Sequence, residues 1–536
     1  MPVSFERIPS TIKVPLFYAE VTNQLAGFFA QEQPAALIGP KLATSTAPAN
    51  VPQRVSNFAE AADKFGNGSV LADMVATYRM NDTFGEIWCI PVDQSGAVPA
   101  VGTLAFGGTA TEAGMISIYI GGDLARITVP RGATGQTVAE AAMTAINSIV
   151  GGLVLATMTG APTTVTLTAR QQGALGNEVA ILADVLMPAG ITLSSTGMAS
   201  GAGIPSIVPA MQALGDETYD FIGLAWSDVP SLNAAQDALS DITGRWAWDR
   251  QSYGHAFAAR MGLANDLANY GRARNDQHMT LIGYPQSPTP PWRVMAAWLA
   301  QAAVSLRIDP ARPLQTLPLV NVIGPERVNT FSRSQLQTLL TSGIAPANPT
   351  PPLNDMQIIR SITTYQRNRW GQPDPSYLDI QTMFTLMYFI RFLRSRILQK
   401  FPRHKLANDG TVFGPGQAIV TPRIIRAELL AAYDELQRTG IVEDVESFDQ
   451  LLIVERDPND PNRVNVMASP DLVNQLRILA MLVAFRLQAT TGVGGGVTPL
   501  MGGVQVAAQV SPQAVAQLAQ QAAAAAGAPP PPAQEA

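Results

Sequence analysis

Cysteine is nearly missing from this chain: Cys89 is the one cysteine in 536 residues. That excludes an intrachain disulfide framework and a multi-cysteine zinc site. Three histidines, His255, His278 and His404, leave little material for histidine chemistry. Charge is scarce as well. Asp, Glu, Lys and Arg make up 14% of the residues, against about 25% in an ordinary soluble domain. The 35 basic and 41 acidic residues leave a net charge of −6, which excludes a generally basic nucleic-acid coat. No uncharged apolar run approaches the roughly 18 residues a membrane span requires. The N-terminus carries Glu6, Arg7 and Lys13 among prolines, without the apolar stretch of a secretion signal. These absences predict a soluble chain made in a reducing cytoplasm, with no membrane insertion and no direct nucleic-acid contact.

Apolar residues are plentiful at 47%, so a large core is available, and the length suits about three or four domains. A large chain with few charges has much neutral surface. Such surface tends to be buried against partners, which points to an assembly subunit.

Residues 1–24 read as an arm. The stretch from Ile12 to Val21 is strand-like, with Val14, Leu16 and Tyr18 in it and Pro9 and Pro15 around and inside it. Proline cannot donate to a central ladder, so this is an edge or added strand. Residues 35–91 alternate strand and helix: 36–39, a helix at 57–64 with Asn57 as N-cap, a helix at 70–78, and a strand at 86–92. From 93 to about 200 the composition shifts to Gly, Thr, Ala and Val. Period-2 strands at 115–120 and 164–169 and a helix at 138–149 preceded by Thr137 predict an inserted, mostly β domain. The α/β rhythm returns at 204. Strands are expected at 221–225, 255–261, 280–282, 316–320 and 357–363, and helices at 231–242, 265–270, 292–306 and 332–341. This alternation predicts a mainly parallel sheet flanked by helices. A long helix at 376–400, a helix at 422–438 and strands at 451–456 and 465–467 follow. Leu476, Ile478, Ala480, Leu482 and Ala484 belong to an apolar run that fits a strand or a helix. Residues 489–536 hold one charge, Glu535, with an Ala/Gln run and Pro529–Pro532, and predict disorder.

The motifs of catalysis are missing. There is no P-loop, no His-Glu-x-x-His and no Gly-x-Ser-x-Gly elbow. Asp249 near His255 does not make a triad, and Cys89 among apolar residues reads as a buried thiol. The segment 457–462, rich in Asp, Asn and Pro, lacks the Gly and Glu of a calcium loop and reads as a hairpin turn. Two charged clusters remain. One is basic: Arg391, Arg394, Arg396, Lys400, Arg403 and Lys405. The other is acidic: Glu443, Asp444, Glu446 and Asp449. They are either solvated faces or docking surfaces for a partner protein.

Several blocks are specific enough to name a family. They are Phe5-Glu6-Arg7-Ile8-Pro9 with the arm that follows, Thr168-Ala169-Arg170-Gln171-Gln172-Gly173, and Arg307-Ile308-Asp309-Pro310-Ala311-Arg312-Pro313-Leu314. Arg360-Ser361-Ile362-Thr363-Thr364-Tyr365, Asp374-Pro375-Ser376-Tyr377-Leu378-Asp379 and Gly440-Ile441-Val442-Glu443 complete the set. Over residues 1–488 the chain closely resembles the contractile tail sheath proteins of myophages, in particular the Mu-like branch. The resemblance implies an α/β core, discontinuous over 25–92 and 201–471, with the β domain 93–200 inserted on the outside, arms at 1–24 and 472–488, and a tail from 489. It implies a helical homo-oligomer of stacked hexameric rings around a tail tube protein, capped by baseplate and terminator proteins, that contracts without nucleotide or metal cofactors. Arms in that family share strands between subunits. In that family the sheath core lines the tube, and the charge clusters of this region make either Arg391, Arg394 and Arg396 or the acidic run 443–449, with Glu443, Asp444 and Glu446, the expected tube-facing groups. A tailocin sheath shares the mechanism. An α/β hydrolase is the alternative of another class, and it lacks a recognisable nucleophile and triad.

Overall fold

The run Ala35–Pro40 is buried at every position. A strand with no solvent face belongs in the middle of a sheet covered on both sides. In the computed structural model it does: Ala35 is registered with Phe221 on one side and with Ile87 on the other, both in parallel. The structure describes residues 33–158, 160–183, 187–350, 355–414 and 416–483. Across the eight-stranded sheet the order is Met356–Ile358, Ala345–Pro349, Met279–Tyr284, His255–Met261, Phe221–Leu224, Ala35–Pro40, Ile87–Val92 and Gln53–Arg54. The inner six strands are parallel, and the two edge strands run antiparallel to their neighbours.

From Ala35–Pro40 the chain winds one way to Ile87–Val92. It then returns past its start and winds the other way through the remaining strands. With right-handed crossovers the two directions place their helices on opposite faces. Val70–Asn81 packs on the first face with an exception to that rule, a helix that the chain forms between two strands of the second direction, Pro291–Ile308. The latter is apolar nearly all round, with Trp292 and Trp298 fully buried. Such a helix must be enclosed rather than amphipathic. Gly39 and Gly223 let these helices approach: a Cβ would meet the Met74 sulfur at 2.9 Å and the Met295 sulfur at 2.7 Å respectively.

Caps follow the sequence closely. Asn57 accepts from the Glu60 amide and Ser69 from the Ala72 amide, and Ser332 and Gln335 form a reciprocal capping box. Thr134, not Thr137, caps the helix Gly135–Asn147.

The strands from Pro99 to Ala199 pair with one another and not with the large sheet among the described residues. Pro99–Gly108, Val154–Met158, Thr164–Gln172 and Ile191–Ala199 make an antiparallel four-stranded sheet. Gly114–Ile120, Asp123–Val129 and Ile181–Ala183 make a three-stranded one. This β region leaves the core just after Val92, at the carboxyl edge of the parallel strands. It is tied back by Gln171, which donates to the Lys41 carbonyl, and by Arg293, whose guanidinium spans Asp73 of the core and Asp123 of the β region. Its apolar side chains join the same buried cluster as the sheet.

Past Ile358 the chain crosses to the helix Ile380–Lys400, then Pro422–Arg438, which pack around a second apolar cluster containing Phe389, Phe392, Leu429, Tyr433 and Phe448. Tyr433 and Phe448 stack with centroids 3.7 Å apart. The segment 457–462 is a hairpin turn between Ile453–Arg456 and Val464–Met467, where Asp457 Oδ1 accepts from the Asn459 and Asp460 amides.

Three expectations are corrected. Residues 316–320 form one bridge, Pro318 to Gln357, rather than a strand. The strand in that part of the sheet is Ala345–Pro349, which two prolines disguise in sequence. The long helix begins at Ile380, since Asp374 holds Ser376 in a local turn through its amide and hydroxyl.

Candidate assembly surfaces

The long helix Ile380–Lys400 runs from the interior into the C-terminal region and organises both. Near its start, Phe384 stacks on Phe221 with centroids 4.8 Å apart. Two turns further, Arg391 reaches Asp220, just before the strand Phe221–Leu224, with both guanidinium Nη atoms 2.7 Å from the two carboxylate oxygens. The Asp220 side chain is fully buried and that of Arg391 is 12% exposed. Arg391, expected at the tube, has its charge paired inside the chain. Arg396 is likewise engaged by Glu428 and Glu435, and Lys400 by Glu428. Burial alone raises the Glu428 carboxyl, but the hydrogen bonds and charges of Lys400 and Arg396 outweigh it and hold it below the usual range. Arg394 remains on the surface, with a hydrogen bond to Gln251.

The acidic run is a helix start. Asp444 adopts a left-handed backbone (φ 53°) and caps Val445–Leu451 by accepting from the Ser447 amide. Glu443 lies in a two-residue strand against Asp471, and Glu446 sits in the helix's first turn, both exposed. Asp449 pairs with Arg426.

A second constellation lies where the chain leaves for its C-terminus. Asp379, at the N-cap of the long helix, binds the Arg360 fork at 2.9 and 2.7 Å and also the Arg477 guanidinium at 3.2 Å. Arg477 further donates to Gln381 and Gln315, and the Leu476 carbonyl accepts from Gln315. One partly buried carboxylate thus clamps the last residues of the compact unit. Arg360 and Asp379 stand inside sequence blocks read above, but no periodicity signals that Arg477 joins them. From Ile478 to Val483 the chain has no regular structure and its apolar side chains are bare, with Ile478 81% and Leu482 96% exposed. Neither the strand nor the helix reading of this segment is realised over its described residues. Ile12, Val14, Leu16, Tyr18, Ala484 and residues 489–536 lie outside the described residues.

The histidines have structural surroundings. Thr280 donates its hydroxyl proton to the Ile362 carbonyl, so His255 Nε2, 2.8 Å from the same oxygen, is the donor there. Full burial holds the His255 pKa well below its ordinary value, so the ring stays neutral. His278 is stacked on Trp246 and bonded to Asp241 at 2.7 Å. Cys89 is buried, and burial drives its pKa up, away from a reactive thiolate. Sheets of this kind bind ligands outside the carboxyl ends of their strands. There the β region leaves a cleft of about 740 Å³ lined by Tyr119, Leu182, Met261, Ser287 and Glu326, without a histidine or cysteine. No group of His, Cys, Asp or Glu suited to a metal occurs among the described residues.

Residues 200–364 match the phage tail sheath protein central domain, and residues 372–486 match the phage tail sheath C-terminal domain. The chain is 40% identical over 498 residues to the Mu-like prophage FluMu tail sheath protein of Haemophilus influenzae, covering 91% of this chain and 100% of that one. The chain belongs to the phage tail sheath family. It is of the Mu-like type, a structural subunit of a contractile tail sheath. Among solved structures it is similar to the sheath tail protein from Desulfitobacterium hafniense (12% identity, TM-score 0.45, covering 86% of this chain and 99% of that chain). It is also similar to the sheath tail protein from Listeria innocua (12% identity, TM-score 0.46, 83% and 92% covered).

Proposed function

We propose that this sheath subunit polymerises as stacked hexameric rings around a tail tube, ends on baseplate and terminator proteins, and contracts to drive the tube through a host envelope. It is assembled in the host cytoplasm and becomes part of the virion, with no catalytic step and no cofactor. The observation that carries the self-assembly reading is the bare apolar stretch Ile478–Val483 directly after the arginine clamp on Asp379. An isolated chain gains nothing by exposing it, whereas a neighbour's sheet edge would take it up through backbone hydrogen bonds. The proline-bearing segment 1–24 is the matching arm at the other end, and 93–200 the outer domain. Contacts of an open heterologous kind generate tubes without closure. Two interface sets of similar energy would let one state be stored and another released.

Of the charged groups offered for the tube, Arg394, Glu443, Asp444 and Glu446 are exposed, and we assign the tube contact to Arg394. Exposed charge pairs are worth about 0–1 kcal/mol each, so many in register hold a tube yet break singly during a stroke.

Electron microscopy of the purified full chain tests the reading. Tubes of uniform diameter are expected. Chains ending at Arg477 or starting at residue 25 should stay folded and monomeric, and long tubes from either truncation would defeat the arm assignment. Replacing 93–200 by a short Gly/Ser link should leave assembly intact.

A further inference from the structure

Arg272, Arg274, Arg367 and Arg369 line one cavity of about 310 Å³, together with Asn275 and Gln366. It lies beside the amino-terminal edge of the strand Met279–Tyr284, away from the long helix's charge clusters. None of these four arginines forms an ion pair among the described residues. Arg274 is the telling one. It is 7% exposed, its Nη atoms donate to the neutral side-chain oxygens of Asn233 and Gln236, and its buried Nε has no partner. Asp276, also buried, lies within electrostatic reach of it. Burial pushes that carboxyl up, and the charges of His278 and Arg274 only partly oppose the rise.

The cavity wall is built rather than incidental. Asn275 Oδ1 accepts from the Gln366 and Arg367 amides while its Nδ2 donates to the Arg367 carbonyl. Gln366 Nε2 donates to the Arg274 carbonyl, and Asn368 Oδ1 accepts from the Trp370 and Gln372 amides. Trp370 stands 69% exposed at the rim with the Arg369 guanidinium 4.1 Å from its ring centre. Guanidiniums beside an exposed tryptophan are the composition of an interface hot spot, and such forks bind carboxylates bidentately.

We propose that this arginine cavity is an intersubunit site that receives the acidic run Glu443-Asp444-Val445-Glu446 of a second copy of the chain. The run is the one place where three acids fall within four residues. Glu443 and Glu446 are exposed there and make no ion pair among the described residues. A heterologous polymer needs two different, complementary patches on one chain. This chain has a cavity short of anions and a run short of cations. The proposal rests on the self-assembly reading.

The test uses two full-length variants, Arg367→Glu with Arg369→Glu, and Glu443→Arg with Glu446→Arg. All four positions are exposed, so circular dichroism should report wild-type folding. Facing like charges suppress association, and each variant alone should show at least about tenfold less polymer by sedimentation and microscopy. An equimolar mixture should recover it, because each reversed patch then meets an opposite one. Unreduced polymer in the arginine variant, or loss in both without recovery on mixing, overturns the proposal. The wild-type chain, run alongside, reports on self-assembly separately. Should it form no polymer, the association is read from sedimentation velocity of the mixed variants. A heavier mixed species supports the site and its absence overturns it.

Discussion

The parallel-sheet core and the C-terminal region treat their side chains in opposite ways. In the core the central strands are wholly buried, and the arginines at their ends find carboxylates of the same chain: Arg293 with Asp73 and Asp123, Arg307 with Asp82, Arg391 with Asp220. In the C-terminal region the apolar cluster is smaller, and Glu443 and Glu446 are exposed and make no ion pair among the described residues. The following segment, Ile478–Val483, keeps its apolar residues outside. The first region is complete in one chain. The second leaves charged and apolar groups exposed. A subunit that must polymerise and later shift its contacts is well served by this split, because breaking an interface then leaves the core intact.

Substitutions can break or sharpen the contrast. The largest effect is expected for Asp220→Ala. It strands the largely buried Arg391 charge, and removing one partner of a buried pair costs about 3–5 kcal/mol, read as a fall in the urea midpoint. Asp123→Ala should cost less, about 1–3 kcal/mol, because Arg293 keeps Asp73. Faster hydrogen exchange confined to Gly114–Val129 would mark the β region loosening from the core. Ending the chain at Arg477 should change monomer stability by no more than about 0.5 kcal/mol while abolishing tubes. A large loss of monomer stability would show that the last segment serves the fold. Arg394→Glu should leave stability unchanged and weaken co-assembly with tube protein more than tube-free polymerisation. Equal loss of both would place Arg394 at sheath–sheath contacts. The smallest effect is acid dependence around Glu428. Its carboxyl lies below the ordinary value of 4.5 in the folded chain. Its stabilisation is therefore present above that value and lost as pH falls through the lower folded value. In Glu428→Gln the acid limb of the unfolding curve should flatten over that window.

Much of this was legible in the residues. Helix starts read well where a cap stood alone before an apolar period, as at Asn57 and Ser332, because capping is a local hydrogen bond that three or four residues define. Buried strands such as Ala35–Pro40 and Phe221–Leu224 read well because a run without polar side chains has no alternative to the interior. Ala345–Pro349 did not. Its prolines argue against a central strand, and it is admitted because it lies next to the edge strand, where Pro346 offers its carbonyl to the Ile359 amide. The charge clusters were found as clusters, but their roles were not. Arg391, Arg394 and Arg396 are spaced so closely that sequence treats them as one patch, yet a helix of about 3.6 residues per turn points them at Asp220, at Gln251 and at Glu428.

Sequence by itself determined the class of fold, the family, the scarcity of catalytic groups and the presence of apolar and charged surplus near the C-terminus. These depend on composition, periodicity and short blocks, all of which are local along the chain. The tertiary structure alone decided which surplus charges are spent. Asp220 and Arg391 are 171 positions apart, Arg360 and Arg477 converge on Asp379 from opposite sides in sequence, and Arg272 and Arg274 meet Arg367 and Arg369 across more than ninety residues. Charge pairing acts over a few ångströms of space and takes no account of separation along the chain, so only the folded chain shows which charges are left for a neighbour.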